Sequence, residues 1–144
     1  DLEPRAAGRA MFAALVAQID ACDGVVANLT PFRGPSADVG TVWEVGYAVG
    51  RGLPVFAYTN VTAHYAERVL DDGLLIEAFD LADNLMVEGA IASHGELVRV
   101  DGGRDPVQRL RALEGFTRCV RDAVAHLTPE RSSVASDGEP NERR

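Results

Sequence analysis

The stretch from Val39 to Gly50 holds a single charged residue, Glu44, among apolar and small side chains. A helix that is apolar on almost every face is normally buried. A carboxylate buried with it costs several kcal/mol unless it is paired, hydrogen-bonded or protonated. Capping explains Asp38, which directly precedes this stretch, but Glu44 lies beyond the first helical turn. Glu44 is therefore the residue of this chain that most needs a functional reason.

Helical periodicity and short β-branched runs alternate along the chain. Apolar residues at helical spacing predict a helix from Gly8 to Cys22. Continuous apolar runs at 24–29 and 54–58 predict strands that are buried on both faces, and the helix at 38–50 joins them. Strands connected in this way pair in parallel through right-handed crossovers. The expected fold is α/β, a Rossmann-like parallel sheet with helices on both faces.

The second half of the chain is less regular. It is predicted to contain a short helix within 62–70, a helix at 84–93, a short edge strand at 97–100 and a long helix from the N-cap Asp105 to Leu127. We assign residues 1–127 to one domain, and we expect residues 128–144, which lack large apolar side chains, to form a disordered tail. Because a sheet of this class usually has more strands, we expect one or two further strands before residue 1.

Composition and charge exclude several classes of function. A net charge of −8 argues against nucleic-acid binding, and no run of about 18 apolar residues suggests a membrane span. All 14 basic residues are arginine, so no lysine is available for Schiff-base chemistry. The histidines are too scattered for a zinc site. We expect Cys22 and Cys119 to be buried free thiols in a reducing compartment, the cytoplasm.

Asp38 and Glu44 are six residues apart, which on a helix is about 9 Å of rise and about 120° of rotation. Gly40 and Gly46 beside them leave room for a close approach by a substrate or a neighbouring backbone. One buried carboxylate and one at a helix start suggest glycosyl chemistry, in which a carboxylate attacks an oxocarbenium-like centre and an acid assists the leaving group. Alternatively, Asp38 only caps the helix and Glu44 pairs with an arginine. The residues alone leave both interpretations open.

Several motifs together resemble the nucleoside 2-deoxyribosyltransferase family. They are N-L-T-P-F-R-G-P at 28–35, D-x-G-T-x-x-E-x-G-Y-A at 38–48, P-V at 54–55 and N-L-M at 84–86. The resemblance extends over about residues 9–127. The D-x-G-T-x-x-E-x-G element is moderately specific by itself, and in combination with the other motifs the signal is strong.

The resemblance implies a flavodoxin-like fold and an exchange of the base of a 2′-deoxynucleoside for another free base. It implies that Glu44 is the nucleophile, which attacks C1′ and forms a covalent deoxyribosyl-enzyme with net retention. Asp38 would hold the base and help to protonate it. Asn84 would come from a neighbouring subunit, reach the sugar 5′-hydroxyl and orient the nucleophile, and Met86 would pack at the same shared site of a homo-oligomer.

Further positions complete the predicted substrate site. We expect Phe32 to form a wall of the base pocket, Gly40 to permit close approach, and Tyr47 to hydrogen-bond the nucleophile one turn away. Structural alternatives remain: Phe32 as an ordinary loop residue, Tyr47 and Met86 as core residues, and Asn84 as only a helix N-cap.

The sequence thus leads to the hypothesis of a cytoplasmic deoxyribosyltransferase of nucleoside salvage, which binds a deoxynucleoside and a free nucleobase and needs no cofactor or metal. The first alternative is an N-glycosidase that hydrolyses 2′-deoxynucleoside 5′-monophosphates. Such relatives tend to carry a serine, for phosphate, where this chain has Asn84, so Asn84 favours an unphosphorylated nucleoside. The second alternative is a nucleotide-binding module without catalysis.

Overall fold

The computed structural model describes residues 3–128 and alternates helices with strands along the chain. The predicted α/β class is confirmed. The elements are α1 (Pro4–Asp20), β1 (Val25–Asn28), α2 (Val39–Gly50), β2 (Val55–Thr59), α3 (Tyr65–Arg68), α4 (Leu85–Ala92), β3 (Val98–Arg99), α5 (Pro106–Arg111) and α6 (Glu114–Leu127).

The strands form one parallel sheet in the order β1-β2-β3. Ala27 of β1 pairs with Ala57 of β2, and Tyr58 of β2 pairs with Val98 of β3. The predicted parallel pairing of the two apolar runs is therefore confirmed, and the predicted edge strand is present as two residues, Val98–Arg99. Within residues 3–128, β1 and β3 are the outer strands of this sheet.

Helices cover both faces of the sheet. Successive side chains of β2 point to opposite sides, so this strand contacts helices on each face. Val55 and Ala57 are buried in a cluster with residues of α2 and α4. On the other face, the ring of Phe56 lies 5.7 Å from that of His126 in α6. The buried members of the cluster contributed by α2 and α4 are Val45, Ala48, Val87 and Ile91.

The predicted single helix from Asp105 to Leu127 is wrong, because the structure interrupts it between α5 and α6 at Ala112. The side-chain amide of Asn60 donates to the carbonyls of Arg109 (2.8 Å) and Ala112 (3.0 Å) and so satisfies groups that the break leaves free. The predicted N-cap, Asp105, is confirmed, since its carboxylate accepts the Gln108 amide at 2.8 Å.

α6 meets the sheet through small residues. A Cβ added to Gly115 would lie 2.6 Å from the Tyr58 ring, and Cys119 is fully buried. Burial raises the pKa of the Cys119 thiol to about 11. The larger apolar residues of this helix, which produce its helical periodicity, are partly exposed: Phe116, Val120, Val124 and Leu127.

The expectation that α2 is buried on all faces is also wrong. Val39 is 83% exposed, Trp43 is 45% exposed, and Glu44 is half-buried. α1 covers only part of the remaining surface of α2, where the ring of Phe12 lies 5.2 Å from that of Trp43. The apolar composition of α2 therefore exceeds what the described chain buries.

Smaller differences concern the two ends. α1 begins at Pro4 rather than Gly8, because proline suits the first position of a helix. Cys22 is exposed rather than buried, although both cysteines are free as expected. None of the helices within residues 3–128 has the length and apolarity required to span a membrane. The predicted disordered tail lies, from residue 129, outside the described residues.

Candidate active site

The loop between β1 and α2 leaves the carboxyl end of β1, where ligands bind in open α/β sheets. Its first residues are fixed to the sheet. The Thr30 amide donates to the Asn28 side chain at 3.0 Å, and the Thr30 hydroxyl accepts the Asn60 amide at 3.0 Å. Because Asn60 directly follows β2, these bonds hold the ends of two adjacent strands together below the loop.

A cleft of about 390 Å³, here called the Asp38 cleft, is lined by residues 32–39. The two predicted site residues Phe32 and Asp38 lie together in its wall. The guanidinium of Arg33 lies 4.9 Å from the centre of the Phe32 ring. Arg33 also has a positive φ of 58°, a conformation that is uncommon for a residue other than glycine.

Asp38 caps α2, as its position predicts. One carboxylate oxygen, Oδ2, accepts the amides of Gly40 (3.0 Å) and Thr41 (3.3 Å). A Cβ at Gly40 would lie 2.9 Å from the same oxygen, so the glycine leaves space for the cap. Within residues 3–128, no donor reaches the second oxygen, Oδ1. That oxygen remains available to a ligand, and its role toward a base stays a prediction.

Glu44 has no structural partner in the described part of the chain, where its carboxylate forms no hydrogen bond and no ion pair. The alternative of a Glu44–arginine pair is therefore not observed. Arg51, which directly follows α2, pairs instead with Asp20 at the end of α1, at 2.9 Å. Tyr47 also donates to Asp20, at 2.9 Å, rather than to Glu44, and this bond raises the pKa of the Tyr47 hydroxyl. Tyr47 stacks on Trp43, and its role toward a substrate stays a prediction.

Asn84 caps α4 and lines a second cleft of about 280 Å³, here called the Asn84 cleft. Its side-chain oxygen accepts the Met86 amide at 2.9 Å, and its amide group donates to Glu77 at 3.1 Å. The structural alternative for Asn84, an N-cap, is thus real, and its substrate role stays a prediction. Met86 is 73% exposed, which rules out a core role for it within this chain.

Asp83 was not singled out by the sequence, but it connects the two clefts. Its side chain is almost fully buried, with 3% exposed. The carboxylate accepts hydrogen bonds from the Ser36 hydroxyl and the Ala37 backbone amide (2.9 Å) in the loop before α2. It also accepts one from the backbone amide of Asn84 (2.8 Å) at the start of α4. A carboxylate at the end of an irregular segment carries no periodicity that would predict these contacts.

Arg68 also bonds the loop before α2 to the segment that contains Asp83. Its guanidinium donates to the carbonyls of Pro35 (3.0 Å), Ala63 (2.9 Å) and Ala82. Burial lowers the pKa of Arg68, and the nearby negative charge of Asp83 opposes this shift. The guanidinium stays charged at neutral pH, because the ordinary pKa of arginine lies far above neutrality. No sequence pattern indicates this role, because the bonds join segments that are distant along the chain.

The structure thus brings some of the predicted site residues together and leaves others apart. Phe32 and Asp38 share one cleft and Asn84 lines the other, whereas Glu44 lines neither of them. α2, which begins after Asp38, packs against α4, which begins after Asn84. Chemically, the site offers one carboxylate held by a cap, one free carboxylate and an amide at the start of a neighbouring helix.

Comparisons with known proteins concern the family and the fold of this chain. The family model for nucleoside 2-deoxyribosyltransferase matches residues 1–86, a range that contains every predicted site residue. A 2-deoxyribosyltransferase structure from Leishmania mexicana is similar, with a TM-score of 0.57 and 28% identity over 78% of this chain and 65% of that chain. The three parallel strands and their helices match its flavodoxin-like α/β fold.

An uncharacterised protein of Schizosaccharomyces pombe is also 28% identical, over 78% of this chain and 62% of its own length. The chain therefore spans a little under two thirds of each of these relatives. The family match covers more than half of the chain and includes the D-x-G-T-x-x-E motif at the start of α2. The chain belongs to the nucleoside 2-deoxyribosyltransferase family.

Proposed function

We propose that this protein exchanges the base of 2′-deoxynucleosides through a covalent deoxyribosyl-Glu44 intermediate, in nucleoside salvage. The observation that carries the proposal is the state of Glu44. Its half-buried carboxylate has no partner within residues 3–128, and it occupies the glutamate position of the family motif. A carboxylate that stabilises nothing nearby in the fold is available as a nucleophile.

The chemistry divides one difficult displacement into two easier steps. In the first, a Glu44 oxygen forms a bond to C1′ while the N-glycosidic bond breaks and its electron pair goes to the base. Asp38 holds the departing base and supplies a proton to it. In the second, a nitrogen of the incoming base loses its proton to Asp38 and attacks C1′ from the face that the first base left, and Glu44 departs as a carboxylate. Two inversions give net retention, and no metal or cofactor is required.

A shared site between copies of the chain completes the proposal. Asn84 lines a different cleft from Asp38 in the same chain, which fits an amide that serves the sugar in a neighbouring subunit. Met86, in the first turn of α4, is largely exposed and so available to a partner. A site closed by a second subunit would also exclude water and favour transfer over hydrolysis. The two free cysteines fit a reducing compartment such as the cytoplasm.

The test is a base-exchange assay with a deoxynucleoside and a different free base, followed by chromatography. We expect a new deoxynucleoside with the unchanged chain, and a fall of roughly 10⁴-fold or more with Glu44→Gln. Glu96→Gln is the matched control, because Glu96 is exposed and distant in sequence from both clefts.

Other products would contradict the proposal in different ways. Free base and deoxyribose, formed at a rate that does not depend on the acceptor base, would indicate a hydrolase. Turnover of 5′-monophosphates alone would support the N-glycosidase. Nucleoside binding that is equally tight in Glu44→Gln, with no turnover by either protein, would support a binding module.

A further inference from the structure

We propose that Asp83, together with Arg68, is a positioning residue that fixes the loop carrying Asp38 relative to Asn84. This inference rests on the proposed function, because it assigns base and sugar recognition to those two residues. Neither Asp83 nor Arg68 would itself touch the reacting atoms.

The carboxylate of Asp83 bonds to both segments at once. On one side it accepts the Ser36 hydroxyl and the Ala37 amide, and Ala37 directly precedes Asp38. On the other side it accepts a hydrogen bond from the backbone amide of the adjacent residue, Asn84. A buried carboxylate is tolerated only when such donors compensate for its lost hydration, so the three bonds hold this geometry in place.

Arg68 bonds to the same two segments one residue further out. Its guanidinium donates to the carbonyl of Pro35 on the loop and to that of Ala82 next to Asp83. The consecutive loop residues 35–37 are thus all bonded to Arg68 or Asp83. The planar, charged guanidinium suits this task because its donors have fixed directions.

The consequence concerns the two clefts. The first residue after the clamped loop is Asp38, and the first residue after Asp83 is Asn84, so the buried Asp83 and the half-buried Arg68 set the position of both. Misplacing a reacting group by about 1 Å can cost about 10²-fold in rate. If sites are shared between subunits, the clamp also relates the base side of one site to the sugar side of the next.

The test uses Asp83→Asn in the full chain. The asparagine side chain keeps the size of aspartate. Its NH2 group, however, replaces one of the two accepting oxygens and would face a hydrogen-bond donor. We expect kcat for base exchange to fall about 10²-fold while KM changes less than threefold, roughly, because the cleft residues themselves remain. Asp80→Asn is the control, since Asp80 is exposed and its positive φ suits asparagine.

Amide hydrogen exchange measures the clamp without reference to activity. In Asp83→Asn, the amides of Ala37 and Asn84 should exchange at least about tenfold faster, because each loses a charged acceptor. The amide-exchange measurement tests the clamp even if the protein shows no base exchange. A lack of base exchange would contradict the proposed function but not the clamp. Faster exchange with an unchanged kcat would contradict the positioning role and leave only a structural one.

A second variant covers the case in which Asp83→Asn does not fold. Ser36→Ala removes one donor and leaves the other two bonds of the carboxylate. We expect a smaller fall in kcat, about tenfold, with accelerated exchange at Ala37. Unchanged kcat and unchanged amide exchange in Ser36→Ala would overturn the proposal.

Discussion

The two clefts differ in how their walls are held. The Asp38 cleft is made from one continuous loop, and successive residues of that loop are bonded to the buried Asp83 and the half-buried Arg68. The Asn84 cleft is lined partly by the segment 69–77, whose bonds at Gly73 and Leu74 are local. Leu74 and Leu75 in that segment are 75% and 96% exposed.

This difference suggests how the two clefts divide the work. A wall bonded to the interior is preorganised, which suits recognition of a flat base beside Phe32 and Asp38. A wall of exposed leucines is typical of a surface that another molecule covers. The contrast agrees with a site in which each chain completes its own base pocket and lends Asn84 to a neighbour.

The largest expected effect tests the Asp38 cleft. Asparagine is as good an N-cap as aspartate, so Asp38→Asn should leave stability nearly unchanged. It cannot supply the proton that the departing base needs, and we expect kcat to fall by about 10²–10⁴-fold. Steady-state kinetics and thermal unfolding, measured on one preparation, separate the two roles. A loss of stability with full activity would reduce Asp38 to a cap.

The next effect tests whether the Asn84 cleft serves a neighbouring subunit. On dilution, the exchange rate per chain should fall by at least about tenfold as assemblies dissociate into monomers, because each monomer would lack the donated amide. Light scattering at each concentration gives the state of assembly. Undiminished activity in a sample that is shown to be monomeric would refute the shared site.

A smaller effect is expected from Asn84→Ser. Serine keeps the N-cap of α4, so the helix should remain stable. The lost amide removes about one hydrogen bond to the sugar, which corresponds to roughly a tenfold fall in kcat/KM. Kinetics with a 5′-deoxy analogue provide the check: the variant and the unchanged chain should not differ with a substrate that lacks the 5′-hydroxyl. A tenfold difference that persists there would place Asn84 elsewhere in the mechanism.

The smallest effect concerns Gly46 of α2, the helix that begins at the Asp38 cleft and packs on α4. A Cβ at Gly46 would meet no atom within 4 Å. Gly46→Ala should therefore raise the free energy of unfolding by about 0.5–1 kcal/mol through helix propensity. Urea unfolding measures this change. If the more stable variant also loses activity, the open space at Gly46 is used by a substrate or a partner.

Features that depend on nearby residues were predictable from the sequence. The strands β1 and β2, the helix α2 and the N-caps Asp38 and Asp105 follow from short patterns, and the structure agrees with them. The break at Ala112 was not predictable, because it depends on Asn60, which is far away in the chain. The half-exposed state of α2 was missed for the same kind of reason, since a sequence pattern shows that a helix is apolar but not how much of it is covered.

The same distinction between nearby and distant residues applies to the candidate site. Phe32, Asp38 and Asn84 belong to motifs, so the sequence found them, and the structure adds that they lie in two clefts. Asp83 and Arg68 act through bonds between distant segments, and no spacing in the sequence indicates such bonds. Motifs thus identified residues that line the two clefts, whereas the residues bonded to the segments around them became apparent only from the structure.

The most direct measurement is to look for the covalent intermediate itself. The protein would be mixed with a 2′-deoxynucleoside, quenched in acid within the first turnovers, digested and examined by mass spectrometry. We expect a deoxyribosyl adduct on the peptide that contains Glu44, its removal on addition of a free base, and its absence in Glu44→Gln. Base exchange that proceeds with no adduct, or with an adduct on another residue, would contradict the assignment of Glu44 as the nucleophile.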